Sequence, residues 1–248
     1  LATCYLHLGR RDEARKLGKA GKPHGTVVTS DEQTSGRGRQ GRSWYSPPGD
    51  NLYLSLLLRP PLEPRAVPLL TLCAGLAVFE TASDVLRECG VSISPLLLKW
   101  PNDLLAQTPS GLRKVSGVLT EMTLASGRCD FVIVGIGVNL LGRDFPPSVP
   151  ATSLLQLVPS WTLVLSVHDF AIRLLEKFEP LYQRFLRDGA PWVTGAFAEK
   201  ATLTSPGMPV TISTAAGMIA GESLGLDHDG ALLIRKDDGF VERVLAGD

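Results

Sequence analysis

Two apolar runs separated by a short turn decide the fold: RKVSGVLTEMTL (113–124) and RCDFVIVGIGVNL (128–140). Both runs are rich in the β-branched and aliphatic residues that favour strands. The Ala-Ser-Gly between them has room only for a tight reversal of the chain, and the simplest pairing across such a turn is antiparallel. The sequence therefore predicts an antiparallel β-hairpin over 113–140.

The segments outside this hairpin predict an α+β fold. Strand patterns occupy TVVTSDEQ (26–33) and NLYLSLLLRPP (51–61), where leucines alternate and two prolines end the run. Apolar residues recur at helical spacing in three segments, of which the second ends at Gly90 and the third at Gly189: DEARKLGKAGKPHG (12–25), LLTLCAGLAVFETASDVLRECG (69–90) and HDFAIRLLEKFEPLYQRFLRDG (168–189). Beyond about residue 200, short strands with turn signals predict a small β-barrel-like module.

Composition limits the classes of protein that the chain can represent. Its 248 residues carry 25 Lys+Arg against 25 Asp+Glu, so no overall field attracts it to nucleic acid or to a membrane. The apolar run at 131–142 is shorter than the roughly 18 residues of a spanning helix, and no signal segment opens the chain, so we expect a cytoplasmic protein. The four cysteines show neither a disulfide framework nor zinc spacing, and we expect reduced thiols: Cys4, Cys73, Cys89 and Cys129.

A glycine- and arginine-rich stretch, SGRGRQGRSW (35–44), is the first candidate for chemistry. Its glycines let backbone N–H groups approach an anion, and Arg37, Arg39 and Arg42 can pair with phosphate or carboxylate. The alternative is a solvated or disordered segment that contacts RNA loosely. A single copy inside a compact domain, without interleaved aromatic residues, favours a loop that binds a polyanionic small molecule.

Three further features are ambiguous when each is taken alone. In LKWPNDLL (98–105), Asn102 and Asp103 follow a Trp-Pro corner, and such residues are more often turn and cap residues than ligands. Lys114 is a single strand lysine, a type that is usually just solvated. In VGIGVN, Gly135, Gly137 and Asn139 share one strand face, which indicates either a close approach to the backbone or tight strand packing.

Together and in order, these segments resemble the motifs of biotin protein ligases. The resemblance rests on EQTSGRGRQGRSWYSPPGDNLYLSLLLRP (32–60), LKWPNDLL, RKVSGVLTE, IVGIGVNL and ATSL (151–154). It implies a mixed-sheet α+β catalytic domain of the biotin/lipoate ligase type over 1–200 and a C-terminal SH3-like β-barrel over 201–248. We expect the monofunctional type, without an N-terminal DNA-binding domain.

The resemblance also implies an activity. Biotin would react with Mg²⁺-ATP to give biotinyl-5′-AMP and pyrophosphate, and biotin would then pass to a lysine of a biotin carboxyl carrier domain in a biotin-dependent carboxylase. ATP, Mg²⁺ and biotin are the implied small molecules, and neither DNA nor a membrane is an expected partner. A homodimer through sheet edges occurs in the family, but no pattern in this sequence selects one.

Site residues follow from the resemblance position by position. Lys114 and Arg39 are the catalytic residues, with Lys114 bridging the two anions and Arg39 on a loop that folds over the intermediate. Asn102 and Asp103 lie at the phosphate and magnesium end, and no direct metal ligand is assigned. The residues expected to contact biotin or the adenylate are Gln33, Arg37, Gly38, Arg39, Trp44, Lys114, Gly117, Gly135, Gly137 and Asn139. Lys114 and Gly117 can meet one ligand only if their strand bulges or twists.

One segment departs from the family pattern. Gly9-Arg10-Arg11 stands where the family usually has Ser-Thr-Asn, whose hydroxyls hold the ureido ring of biotin. A lost buried hydrogen bond costs about 1 kcal/mol, and more where a group of the ligand is left unpaired, so affinity would fall about tenfold or more. Either this protein is a weakened homologue that binds biotin or nucleotide, or the start of the chain is altered. A lipoate or octanoyl transferase is a further alternative, which the Gly/Arg loop and KWPND disfavour.

Overall fold

A single mixed sheet organises the protein, whose computed structural model describes residues 4–6, 12–92, 94–158 and 165–247. The strands of this sheet are β1 (Cys4–Leu6), β2 (Thr26–Ser30), β3 (Leu52–Leu58), β4 (Leu96–Lys99), β5 (Asp103–Thr108), β6 (Gly111–Ala125) and β7 (Arg128–Val138). Their order across the sheet is β1-β2-β3-β7-β6-β5-β4. β1 and β2 are parallel, and every other neighbouring pair is antiparallel. The predicted mixed α+β class is confirmed.

Helices cover both faces of the sheet. In chain order they are α1 (Asp12–Lys19), α2 (Leu69–Glu88), α3 (Val167–Asp188) and α4 (Ala190–Ala198). Helices α2, α3 and α4 pack with one face of the sheet into the large hydrophobic core. On the other face, Ala14 of α1 packs against a separate small cluster that includes Leu57 and Phe131. The predicted helices therefore all form, and α1 divides its face of the sheet into a covered end and an open end.

Strand alternation determines what the open end presents. The leucines at even positions of β3 face the large core, as their spacing predicted. Leu57 points the other way, under α1. The residues further along β3 and β7 on that second face are Tyr53, Ser55, Gly135 and Gly137, and Tyr53 pairs with Gly137 and Ser55 with Gly135 across the two strands. The end of this face that α1 leaves uncovered is therefore formed by polar residues of β3 and glycines of β7.

The predicted hairpin is formed by β6 and β7, which pair along most of their length. Ala125 still belongs to β6, so the reversal is made by Ser126 and Gly127 alone, with φ values of 50° and 77°. Positive φ at both central residues matches the right-handed twist of the flanking strands. The site is built on this hairpin and on the strands that pair with its two sides, β3 and β5.

Helix α2 is apolar enough to pass for a membrane span. By length and composition alone, Pro64–Glu88 could cross a bilayer, and this is the one such helix among the described residues. However, 72% of its most apolar window is buried inside the protein. Its apolar residues are therefore explained by its place in the core. It ends before Gly90, whose φ of 84° fits the predicted terminating glycine.

A second sheet follows the helices. It contains β8 (Pro209–Thr214), β9 (Gly217–Leu226), β10 (Leu232–Arg235) and β11 (Val241–Val244), antiparallel in the order β11-β10-β9-β8. Its buried side chains, among them Ile212, Leu232 and Ile234, belong to the same hydrophobic core as α2 and the large sheet. The small C-terminal β module is therefore present, while the domain boundary between residues 200 and 201 stays a prediction.

Candidate active site

A pocket occupies the open end of the sheet face, beyond α1. Its floor is made by β3, β7 and β6, and its cover is the segment between β2 and β3. Of the residues predicted for the site, those that line this pocket are Gln33, Arg37, Gly38, Arg39, Trp44, Asn102, Asp103, Lys114, Gly117, Gly135 and Gly137. Segments far apart in the chain are thus brought together around one cavity.

The Gly/Arg stretch is a small hairpin over the pocket. The N–H of Gly38 donates to the carbonyl of Arg42 at 2.6 Å, and the N–H of Trp44 donates to the carbonyl of Gly36 at 2.9 Å. A Cβ at position 36 would lie 2.4 Å from the oxygen of Trp44, so only glycine allows this close pairing. The hairpin therefore holds its arginines in defined positions at the pocket.

Arg39 connects this hairpin to the Trp-Pro corner. Strand β4 ends just before the corner, whose Trp100–Pro101 peptide bond is cis. Arg39 donates from Nη1 to Oδ1 of Asn102 at 2.9 Å, and Asn102 donates from Nδ2 to the carbonyl of Val118 at 2.9 Å. Asn102 therefore links the Trp-Pro corner both to the Gly/Arg hairpin and to the backbone of β6.

The ammonium group of Lys114 lies between a carboxylate and an aromatic ring. Its Nζ is 2.7 Å from Oδ1 of Asp103 and 5.2 Å from the centre of the Trp44 ring. The side chain of Asp103 is 10% exposed and that of Lys114 is 32% exposed. A carboxylate and the π face of an indole both attract an ammonium group. The ammonium group of Lys114 is therefore fixed at the pocket wall by two contacts.

A β-bulge brings Lys114 and Gly117 to the same side of β6. Opposite β5, Leu104 pairs with Ser116 but Leu105 pairs with Lys114, so Val115 is the extra residue. A Cβ at Gly117 would lie 3.1 Å from Cε of Lys114 and 3.1 Å from Cζ3 of Trp44. The sequence required a bulge or a twist for both residues to meet one ligand, and the structure has the bulge.

The strand glycines have different neighbours. A Cβ at Gly137 would lie 2.7 Å from Cε2 of Trp44, so the indole rests directly on the backbone of β7. At Gly135 the nearest atom to such a Cβ would be the carbonyl oxygen of Leu119, at 3.4 Å. The close approach that glycine indicated is therefore made at Gly137 by a side chain of the protein itself, while Gly135 leaves the pocket floor flat.

Asn139 lies outside the pocket lining, although it was predicted to contact the adenylate. It is 3% exposed. Its Nδ2 donates to the carbonyls of Lys114 and Thr152, both at 3.2 Å. The spacing of VGIGVN places Asn139 on the face of the two glycines, but β7 ends at Val138 and the alternation stops there. The chain then turns this side chain toward the backbone of β6.

Some pocket-lining residues were not among the predicted site residues. Two of them, Tyr53 and Ser55, line the cavity from β3. They occupy the polar positions between the alternating leucines, so the signal was present in the same pattern that predicted the strand. The phenol of Tyr53 donates to the carbonyl of Pro47 at 2.9 Å, and burial raises its pKa to about 12. Tyr53 is therefore a neutral donor that fixes the chain beside the pocket.

Gly9, Arg10 and Arg11, the segment that departs from the family pattern, lie outside the described residues. Among the residues that are described, no group of three His, Cys, Asp or Glu side chains could hold a metal ion. Asp103 is the one carboxylate among the described residues that line the pocket, and Asn102, with its amide oxygen, precedes it in the chain. One carboxylate with one amide oxygen suits Mg²⁺, which takes few protein ligands and completes its shell with water and substrate phosphates.

The fold and the pocket define a class of enzyme. The pocket is enclosed by a cationic hairpin, a lysine and a floor of strand glycines, which suit an anionic small molecule. It lies on one face of the sheet, and the opposite face packs against α2, α3 and α4. The family model described as "Biotin/lipoate A/B protein ligase family" matches residues 8–139. The chain belongs to this family, and the resemblance seen in the sequence motifs is confirmed.

Individual relatives agree with this assignment. The chain is 32% identical over 239 residues to the "Bifunctional ligase/repressor BirA" of Bacillus subtilis, which covers 95% of this chain and 69% of that protein. It is 33% identical over 210 residues to the "Biotin--[acetyl-CoA-carboxylase] ligase" of Paracoccus denitrificans, covering 84% and 83% of the two chains. The solved "Biotin protein ligase from Aquifex aeolicus in complex with biotin and ATP" is similar with a TM-score of 0.77 and 29% identity, covering 99% of this chain and 96% of that one.

Proposed function

We propose that the protein is an ATP-dependent biotin protein ligase. In the first step an oxygen of the biotin carboxylate attacks the α-phosphorus of ATP, and pyrophosphate leaves as biotinyl-5′-AMP forms. In the second step the uncharged amine of an acceptor lysine attacks the acyl carbonyl, and AMP leaves with the acyl–phosphate bond broken. The observation that carries the proposal is the ammonium group of Lys114, held at the wall of a pocket that also contains Arg39.

Charge repulsion is the main barrier that the site has to lower. Two unit charges 4 Å apart at an effective dielectric of 20 repel by about 4 kcal/mol, so a carboxylate and a phosphate need a cation between them. Lys114 supplies that cation from β6, where Asp103 and Trp44 already hold the amine. Such preorganised charge needs no reorganisation when the reaction occurs.

The other pocket residues take complementary roles. Arg39, on the hairpin cover, neutralises the phosphate and keeps water from the reactive anhydride. Asn102 and Asp103 would hold Mg²⁺, which when bound neutralises charge on the leaving pyrophosphate. Gln33, Tyr53 and Ser55 supply polar groups at the end nearer β2 and β3 for the head group of biotin.

The partner and the location belong to the same proposal. The acceptor is a biotin carboxyl carrier domain of a biotin-dependent carboxylase, as the name of the Paracoccus relative indicates for that protein. A cytoplasmic location is consistent with the free thiols of Cys73, Cys89 and Cys129.

A labelling experiment tests the proposal. The protein is incubated with ATP, Mg²⁺, labelled biotin and a carrier domain, and label on the carrier is measured beside pyrophosphate release. Lys114→Ala should abolish both signals. Lys177→Ala is the matched control, because Lys177 also pairs with an aspartate, Asp84, at 2.8 Å, but lies on helix α3 away from the pocket.

The same experiment separates the alternatives. Pyrophosphate release that depends on lipoate or octanoate in place of biotin would assign the lipoate branch of the family. Binding of biotin or ATP by calorimetry without any pyrophosphate release would identify a weakened homologue. Unimpaired biotin-dependent release by Lys114→Ala would remove the bridging role of this lysine.

A further inference from the structure

We infer that Tyr45 and Phe145 form a latch between two loops beside the pocket, and that this contact slows the escape of biotinyl-adenylate. The inference rests on the proposed function, since it concerns the intermediate that this function assigns to the pocket. The two rings lie 6.5 Å apart, centre to centre, with an angle of 67° between their planes. This edge-to-face geometry is one that aromatic pairs prefer.

Tyr45 lies at the end of the hairpin cover that touches the pocket floor. It directly follows Trp44, whose indole rests on the backbone of Gly137 and lies 5.2 Å from Nζ of Lys114. The N–H of Trp44 also closes the hairpin by donating to the carbonyl of Gly36 at 2.9 Å. A displacement of Tyr45 therefore moves the residue that joins the cover to the floor.

Phe145 belongs to the loop that follows β7, and this loop is held on both sides of the ring. Before it, the carbonyl of Arg143 accepts from Nε2 of Gln156 at 2.9 Å. After it, the carbonyl of Pro150 accepts from the N–H of Lys114 at 2.9 Å. The loop that carries Phe145 is therefore tied to the backbone of the strand that supplies the catalytic lysine.

Prolines restrict this loop further. Three of the six residues in FPPSVP (145–150) are proline, whose ring fixes φ at about −65°. Within the segment, the N–H of Val149 donates to the carbonyl of Pro146 at 2.8 Å. A loop with few free torsions loses little conformational entropy when its side chain packs. Phe145 is therefore suited to be the anchor of the latch.

The contact joins the supports of the two catalytic cations. Arg39 is on the hairpin cover, and Lys114 is paired with the loop of Phe145. Tyr45 and Phe145 do not line the pocket themselves, so they act through the cover and not on the ligand. The intermediate can leave only when the cover separates from the floor, and this separation breaks the ring contact. The latch therefore lowers the population of the open state.

The test times the loss of labelled biotinyl-adenylate from the preformed complex after dilution into excess unlabelled biotin. Phe145→Ala and Tyr45→Ala should each release the intermediate about two- to tenfold faster than wild type. The double variant should be no faster than the single ones, because both changes remove the same contact. Phe145→Tyr keeps the ring and should keep the wild-type rate.

Phe240→Ala is the matched control for the loss of an exposed aromatic ring. Phe240 is 60% exposed and has Lys236 as a neighbour, 5.5 Å from the centre of its ring, but it lies beside β11 and outside the pocket lining. This variant should release the intermediate at the wild-type rate.

Hydrogen–deuterium exchange of the ligand-free protein gives a readout that does not depend on activity. The N–H groups of Gly38 and Trp44 are bonded within the hairpin, and they should exchange about two- to tenfold faster in Phe145→Ala than in wild type or Phe240→Ala. Exchange in the buried helix α2 should stay unchanged, which separates opening of the cover from a general loss of the fold.

The outcomes are distinct. Unchanged release by Phe145→Ala, additive effects in the double variant, or the same acceleration by Phe240→Ala would each overturn the latch. A wild-type protein without biotin-dependent pyrophosphate release would contradict the proposed function instead. In that case the exchange comparison still decides whether Phe145 holds the cover.

Discussion

Replacement of Gly137 by alanine should destabilise the protein, because the indole of Trp44 occupies the space that the new methyl group needs. The Cβ would lie 2.7 Å from Cε2 and 2.8 Å from Cζ2 and Nε1 of Trp44. Carbon atoms in contact prefer about 3.5–4.0 Å, so the ring has to move by about 1 Å. Overpacking of this kind costs about 1–3 kcal/mol. Removing a glycine from a strand returns about 0.5–1 kcal/mol, which leaves a net loss of about 0–2.5 kcal/mol.

Urea unfolding of Gly137→Ala beside Gly135→Ala measures this effect. Gly135 lies two residues earlier on the same face of β7, and its Cβ would come no closer than 3.4 Å to the carbonyl oxygen of Leu119. Gly135→Ala should therefore be neutral or more stable by about 0.5 kcal/mol, and its unfolding midpoint should lie above that of Gly137→Ala. Equal midpoints, or a more stable Gly137→Ala, would refute the packing of Trp44 on the strand.

Three more predictions test other parts of the structure. Arg39→Gly should still form biotinyl-adenylate but release it to solution, which chromatography of the reaction mixture detects; retention of the intermediate would contradict the covering role. Trp100→Phe removes the hydrogen bond of 2.9 Å from its Nε1 to the carbonyl of Gly230 and leaves a small cavity, so unfolding should become easier by about 2–3 kcal/mol in denaturant titration. Arg243 and then His228 lower the pKa of Asp227 from 3.8 to about 2, so this carboxylate stabilises the fold above about pH 4 and the contribution is lost as the pH falls toward 2. Thermal midpoints of Asp227→Asn should therefore change less with pH over that interval than those of wild type, and parallel curves would disprove the linkage.

The sequence predicted the elements whose signal is local. The alternating leucines of β3 and the tight turn at 126–127 depend on neighbours within a few residues, so their strands and hairpin could be predicted. The pocket lining was predicted because glycine, arginine and polar residues stand in family motifs. Tyr53 and Ser55 also carried a local signal, since they are the polar positions between the alternating leucines of β3. That alternation was used to predict the core-facing side of the strand, and its other side was not assigned to the site.

Contacts between distant segments could not be predicted. Trp44 meets Gly137 only because the hairpin cover folds back over β7, and nothing in either segment specifies that approach. The contact of Asn139 with the adenylate stays a prediction from the family resemblance, but its hydrogen bonds to the backbone of Lys114 and Thr152 could not be predicted, because the strand alternation ends at Val138. The bulge at Val115 was recognised as a requirement, but its location depends on the segment 150–152, which pairs with Lys114 from elsewhere in the chain.

The small C-terminal sheet does not bury its apolar side chains alone. Ile212, Leu232 and Val244 complete the core of the large domain, and Gly230 receives the indole hydrogen bond of the Trp-Pro corner that precedes Asn102. A fragment as short as 201–248 would lose most of its apolar partners on excision, and chains of that size are marginal even with their own core. The two parts should therefore melt in one transition, and a cut at the junction would yield two insoluble pieces rather than two working modules.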